Sequence, residues 1–362
     1  MSTSPLYALM QYFGLSEAQN QNNRSGTSSY TNNNSGQYSL TNIQTQNAEG
    51  DFALALPLAQ AAVQNDPSSE TAHRLLGADL LNTGNIQGAL QQLSQATAMN
   101  PKDSMAFTDL SALYSTVGDF TDAATAAKQA VTAAQNEVTA SPTSASAYTD
   151  LAAAYQVDKK YNAAKVAAHK AISINPQDDT AYVELANANG AQGYYGLAEV
   201  DDKKAISINP NNVKAYNNLA SDQGKLGHYT LAISTAQQAL SINSKDTGAL
   251  NVLAAAEGQS GNTTSSISDA QQALSINRDD IQAWNLLAAA ENKTGNYTSA
   301  ISSAQQALSV NSQDYSADDA LAIANDFEGY SSESLSYAKQ ALKLDPSDKV
   351  AKSIIANLNK SK

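Results

Sequence analysis

A period of 34 residues governs most of this 362-residue chain. The stretch ISTAQQALSIN at 233–243 returns as ISDAQQALSIN at 267–277 and as ISSAQQALSVN at 301–311. Glycine and alanine extend the same frame outward, at Gly193, Gly227, Gly261, Gly295 and Gly329, and at Ala171, Ala205, Ala239, Ala273, Ala307 and Ala341. Because one repeat of this length cannot bury its apolar face alone, the chain must fold as a stack of similar units.

Each unit contains the pattern of two helices. In the unit 213–246, Tyr216 and Leu219 stand one turn apart on the apolar face of a first helix. Gly227 ends that helix, since a helix C-terminus readily takes a left-handed glycine, and Tyr229 opens a second helix with a stripe of alanines. The pattern predicts an all-α solenoid of antiparallel helix pairs.

The unit at 281–314 resembles the tetratricopeptide repeat family. Trp284 stands at the family's aromatic position, Leu287 follows at the Leu–Gly position, and Gly295 and Tyr297 occupy the turn. The two small positions of the second helix are filled by Ala300 and Ala307. The resemblance implies a right-handed superhelical array whose first helices line a concave groove, where members of the family commonly bind peptides or partner helices.

The repeat frame divides the chain into three regions. An amphipathic segment with a polar low-complexity arm occupies 1–35, and a capping helix is expected at 349–362. Between them we expect nine units, near 36–69, 70–103, 104–144, 145–178, 179–212, 213–246, 247–280, 281–314 and 315–348. The third unit carries seven extra residues, which are expected to lengthen its second helix by two turns.

The N-terminal arm has two interpretations. Leu6, Leu9, Met10 and Phe13 share one helical face, and the following residues are mostly Asn, Gln, Ser, Thr and Gly. Such a composition is typical of a disordered tail. Alternatively, the four apolar residues form an anchor on a flexible tether that docks on this chain's array or on a neighbouring molecule. The segment has no basic region and no small-residue cleavage site, so it does not resemble a signal peptide.

Composition excludes several classes of function. The formal charge of −13, from 21 basic and 34 acidic residues, disfavours a nucleic-acid partner. The absence of cysteine excludes disulfides, thiol catalysis and cysteine-ligated zinc. The three histidines, His73, His169 and His228, are too far apart in the array to meet at one site. We therefore predict no catalytic residues, no metal, no cofactor and no enzyme activity, and no apolar run is long enough for a transmembrane helix.

Sequons for N-glycosylation recur in the array. The candidates are Asn262, Asn292 and Asn296, with further matches at Asn23, Asn33 and Asn359. They are either glycosylation sites of an exported protein or incidental matches in an Asn- and Thr-rich sequence. The sequons and the lack of cysteine favour the cell surface or the exterior slightly over the cytoplasm, which the lack of a signal peptide favours.

Two functions are consistent with these features. A scaffold would bind an extended peptide or helix in the groove, where Asn217, Asn251 and Asn285 recur at one position with Ser221 and Lys214 nearby. Asparagine amides can donate to and accept from a peptide backbone. Alternatively, the chain is a structural subunit that polymerises head to tail, because its units at 213–314 are nearly identical and its N-terminal arm could enter a neighbour's groove.

Overall fold

The computed structural model describes residues 40–48 and 52–360, so the N-terminal arm with Leu6, Leu9, Met10 and Phe13 lies outside the described residues. In the described part the chain forms nineteen α-helices and no strand. The helices are α1 (Leu40–Ala48), α2 (Phe52–Asn65), α3 (Glu70–Asn82), α4 (Ile86–Met99), α5 (Ser104–Thr116), α6 (Phe120–Ala140), α7 (Ala145–Val157), α8 (Tyr161–Ile174), α9 (Asp179–Ala191), α10 (Tyr195–Ile208), α11 (Val213–Lys225), α12 (Tyr229–Ile242), α13 (Thr247–Ser260), α14 (Thr263–Ile276), α15 (Ile281–Thr294), α16 (Tyr297–Val310), α17 (Tyr315–Phe327), α18 (Ser331–Leu344) and α19 (Lys349–Lys360). The predicted all-α solenoid of helix pairs is confirmed.

Local signals fix where each helix begins and ends. The first helices start behind a polar cap, as when the Asp280 carboxylate accepts the backbone N–H of Ala283 at 3.0 Å. They end in a left-handed residue, which is glycine in most units, with φ of 99° at Gly261 and 80° at Gly295. Lys159 takes the same place after α7 with φ of 57°. The same turn therefore recurs without glycine in that unit.

The extra residues of the third unit lengthen α6, as the sequence predicted. This helix has 21 residues, whereas the second helices α8, α10 and α12 each have 14. Its added turns make specific contacts. The Glu137 carboxylate accepts the backbone N–H of Ser104 at 3.3 Å, and the Gln135 amide donates to the Tyr155 hydroxyl at 2.9 Å. The insertion thus joins α6 to the start of α5 and to α7.

Small side chains form much of the core. Ala232, Ala236 and Ala239 on α12 are completely buried, and the positions of Ala236 and Ala239 are buried alanines in the following three units as well. The larger buried side chains are mainly leucines of the first helices, such as Leu250 on α13 and Leu321 on α17. Because the alanine side chain is small, the paired helices approach closely. Each unit buries little apolar surface by itself, so stability depends on the stacking of units on one another.

The array curves toward its first helices. Successive first helices pack on one another, for example α7 on α9 and α15 on α17, whereas second helices pack chiefly on first helices. The helices that lie closer together must occupy the shorter arc. The first helices therefore form the concave face, and the second helices form the outer face.

Units that are far apart in the sequence touch along the edges of the superhelix. The turns within units lie at one edge and the turns between units at the other, because consecutive helices are antiparallel. Gly84 and Gly118 at the first edge meet Asn277 and Asn311 at the second edge. The amide of Gln313 also donates to the Gly118 carbonyl at 3.2 Å. A Cβ atom at either glycine would overlap the asparagine side-chain oxygen, so this approach requires glycine.

We predict that Gly118→Ala destabilises the chain more than Gly295→Ala. Both glycines have φ of 80°, so both substitutions carry the same backbone strain. Only the methyl group at 118 would also meet Asn311, since the space around 295 is open. The expected difference is about 1 kcal/mol in the free energy of unfolding, measured by urea denaturation. Equal losses would contradict the edge contact.

Candidate functional site

A repeated hydrogen bond crosses the concave face from one unit to the next. In the three consecutive units from 213 to 314, the fifth residue donates to the acidic residue that caps the following first helix, 29 positions later. We call this series the N-cap ladder. It runs from Asn217 to Asp246 at 2.7 Å, from Asn251 to Asp280 at 2.7 Å and from Asn285 to Asp314 at 2.5 Å. Each carboxylate thus caps its own helix and holds the preceding one.

The ladder extends beyond the asparagines with different chemistry. The Thr149 hydroxyl donates to Asp178 at 3.0 Å, and the Arg74 guanidinium lies 3.5 Å from Asp103. At the C-terminal end the donor position is occupied by Asp319, whose partner is Asp348. Two carboxyl groups can form this bond only when one of them keeps its proton.

The predicted groove asparagines are thus contacts between units. Asn251 is 0% exposed, while Asn217 and Asn285 are half-buried. All three amide nitrogens donate to the N-cap carboxylates, and the three amide oxygens are buried without a hydrogen bond. Sequence reasoning missed the ladder because each partner lies in the cap of another helix, although the fixed spacing of 29 residues is visible in the sequence. Peptide binding by these residues stays a prediction.

Lys214 belongs to a buried polar network rather than to an open surface. Its ammonium lies 3.1 Å from the Glu184 carboxylate, and both side chains are buried. The Gln156 amide donates to the Glu184 carbonyl at 2.8 Å, and the Asn218 amide donates to Asn187 at 2.8 Å. The chain's own side chains therefore fill much of the concave face from α7 and α9 to the first two turns of α11.

The concave face is more open in the units from 213 to 314. Ser221 and Ala255 are half-buried, and Ala289 is exposed at the same position of the third unit. Lys293 is exposed nearby, and its ammonium donates to the Gly258 carbonyl at 2.6 Å. We call Ser221, Ala255 and Ala289 the small-residue strip. Its short side chains leave the surface beside the N-cap ladder accessible.

Burial raises the pKa of acidic groups on this face. It raises the pKa of the cap residues Asp246, Asp280 and Asp314, which the hydrogen bonds from asparagine and the helix backbone partly offset. Burial also raises the pKa of Asp319 to about 8, with a further contribution from the nearby Asp348 carboxylate. Asp319 therefore holds the shared proton near neutral pH.

The histidines and sequons occupy unrelated places. His73 is buried, with its ring nitrogens 2.6 Å from the Gln92 amide oxygen and 3.1 Å from the Pro67 carbonyl. Within residues 40–48 and 52–360, no three His, Asp or Glu side chains form a metal-binding group. Asn262 and Asn296 lie in exposed turns, whereas Asn292 is half-buried and donates to the Ala320 carbonyl at 2.9 Å. Glycosylation stays a prediction.

Comparison with known proteins identifies the family. Models of the tetratricopeptide repeat match residues 47–113, 213–246 and 251–318. The chain is a tetratricopeptide repeat protein. This fold serves in general as a scaffold for protein–protein interaction, and its members are typically non-catalytic. None of the helices in the described part of this repeat protein is both long and apolar enough to cross a membrane.

Similar solved structures agree on the fold of this repeat protein. One is the crystal structure of the APC/C hetero-tetramer Cut9–Hcn1, with a TM-score of 0.64 and 16% identity over 88% of this chain. The present chain spans 61% of that chain. Another is pilF of Pseudomonas aeruginosa, with a TM-score of 0.51 and 18% identity over 60% of this chain and 97% of that one. No curated protein sequence matches the chain.

We predict that Asn251→Ala weakens the stacking of units. The substitution removes the donor to Asp280 and leaves its buried carboxylate with fewer hydrogen bonds. The expected loss is about 1–3 kcal/mol in the free energy of unfolding. The exposed residue Asn262 provides the control, because Asn262→Ala should change stability by less than about 0.5 kcal/mol. Similar losses in both variants would contradict the role of the ladder.

A second prediction concerns pH. The folded pKa of Asp319 is about 8, above that of an unfolded carboxyl, so the folded chain binds a proton that the unfolded chain releases. Stability from this group is therefore present at low pH and is lost as pH rises toward 8. Asp319→Asn reproduces Asn285 and supplies an N–H at every pH. We expect a higher melting temperature than wild type at pH 8 and a smaller difference at pH 5.

Calorimetry from pH 5 to pH 8 checks this expectation. Asp326→Asn serves as the control, because Asp326 is an exposed carboxylate on the same helix. If Asp319→Asn and Asp326→Asn have the same pH dependence, Asp319 does not hold the shared proton.

Proposed function

We propose that this protein is a non-enzymatic scaffold that binds an extended segment or a helix of a partner protein along the concave face of residues 213–314. The observation that carries the proposal is the small-residue strip. Ser221, Ala255 and Ala289 recur every 34 residues, and they are at least partly accessible, whereas Ala153 and Asn187 at the same position of α7 and α9 are buried. The tetratricopeptide repeat fold suggests protein partners in general, which supports the assignment.

The chemistry of the strip indicates the kind of segment it would accept. Short side chains allow a partner backbone to approach the first helices closely. The same chemistry repeats at equal intervals, so a partner with a regular extended or helical path can make equivalent contacts in each unit. The asparagine nitrogens already donate to Asp246, Asp280 and Asp314, so specificity would depend mainly on shape.

Selection of binding peptides from a random peptide library, with the full chain as the target, tests the proposal. We expect peptides that bind wild type and lose at least tenfold in affinity with Ala289→Arg, because the long side chain blocks the strip. Ser299→Arg is the matched control, since Ser299 is exposed on the second helix of the same unit. Peptides that bind both variants equally, or a failure to select any, would refute groove binding.

The alternative is a self-assembling subunit whose N-terminal arm docks on a neighbour. Its contact residues, Leu6, Leu9, Met10 and Phe13, lie outside the described residues. The near identity of the units at 213–314 supports it, because each unit would offer the arm an equivalent groove. Deletion of 1–35 should reduce the particle size in light scattering, and an unchanged size would contradict this alternative.

A further inference from the structure

The outer face departs from the repeat in two consecutive second helices. On α12, α14 and α16, two outward positions one turn apart carry serine and glutamine. These pairs are Ser234 with Gln238, Ser268 with Gln272, and Ser302 with Gln306. On α8 and α10 the same positions carry Val166 with Lys170 and Val200 with Lys204. Among these five units, only the two consecutive units that contain α8 and α10 thus carry an apolar and a basic residue in place of serine and glutamine.

Two leucines also differ from the residues at the same position of later units. Leu197 lies one turn before Val200 on α10, and Leu231 occupies the same position on α12. Their equivalents in the next two units are Ser265 and Ser299. We call these residues the outer patch: Val166, Leu197, Val200 and Leu231, which are 72%, 58%, 62% and 54% exposed, together with Lys170 and Lys204.

Stability of the single chain does not explain the four apolar residues of the outer patch. Serine fills these positions in neighbouring units of the same fold, and the apolar side chains of the patch are more than half exposed. Exposed apolar residues at outward positions of consecutive units, on an otherwise polar face, favour an interaction site. The lysines lie over aromatic rings, with Lys170 Nζ 5.9 Å from the ring centre of Tyr148 and Lys204 Nζ 6.0 Å from that of Tyr182.

The last unit has the complementary chemistry. The turn between α17 and α18 exposes Phe327 and Tyr330 by 66% and 55%. Three exposed acidic residues surround them, and with the two rings they form what we call the acidic tip: Asp326, Phe327, Glu328, Tyr330 and Glu333. The Phe327 ring stacks on Tyr297 at 4.7 Å and 2°, so one of the two rings is held in place before any partner arrives.

We propose that the acidic tip of one copy docks on the outer patch of a second copy. Apolar surface meets apolar surface in this contact, and carboxylates meet lysines. Both surfaces are exposed in the single chain, so they do not satisfy each other within it. Two different surfaces that join copies of one chain form a heterologous contact, which leads to a ring or an open-ended filament. This contact requires neither the groove nor the N-terminal arm.

The test uses the full chain and residues borrowed from its own repeats. A patch variant, V166S/K170Q/V200S/K204Q, carries the serine and glutamine of α12, α14 and α16. A tip variant, F327Q/Y330N, carries the residues found at Gln259 and Asn262 of an earlier unit. Sedimentation velocity should show concentration-dependent oligomers for wild type that shrink at high salt. Each variant alone should sediment as a monomer with an unchanged helical spectrum.

Mixing the two variants gives the sharpest outcome. Each retains one intact surface, so the mixture should form a 1:1 dimer and nothing larger. Val350→Ser, at an exposed apolar residue outside both surfaces, should assemble as wild type does. The proposal is overturned if wild type is a monomer at every concentration, if the patch or tip variant still assembles, or if the mixture stays monomeric.

Discussion

The bond between the fifth residue of a unit and the cap of the next first helix is the interaction that links the units of residues 213–314 most directly. One carboxylate completes the N-terminus of its own helix and holds the helix before it, so capping and stacking are the same contact. Asp246, Asp280 and Asp314 do this with asparagine donors. An alanine-rich core gives each unit little bulk to bury, and a directional bond fixes the register that bulky side chains would otherwise determine.

Much of the fold could be predicted from the sequence, because the period, the turn glycines and the alanine stripes are local signals. The partner of Asn251 could not, since donor and acceptor lie in different units and only stacking brings them together. The edge contact corresponds to a weak signal in the sequence of the turns between units. Proline follows the second helix at 67, 101, 142, 176, 210 and 346, whereas serine or arginine stands there at Ser244, Arg278 and Ser312. Arg278 and Ser312 lie in the two turns that meet the glycines. That signal is understandable only once the pitch of the superhelix is known.

The candidate sites show two different uses of repetition. The proposed use of the small-residue strip depends on repetition, because three nearly identical units would offer a partner similar contacts. The outer patch depends on a departure, because Val200 and Lys204 stand where the following units carry Ser and Gln. The residues that repeat therefore predicted the architecture. The residues that depart from the repeat indicate the outer patch.

The edge contact also has a mechanical consequence. A solenoid whose turns do not touch extends like an open spring, with small rotations shared among many units. Here the carbonyl of Gly118 accepts the Gln313 amide across one full turn, and Gly84 lies against Asn277. Tension applied to the two ends must first separate these turns before the units can rotate. The chain therefore combines a stiff response at short extension with a soft one beyond it.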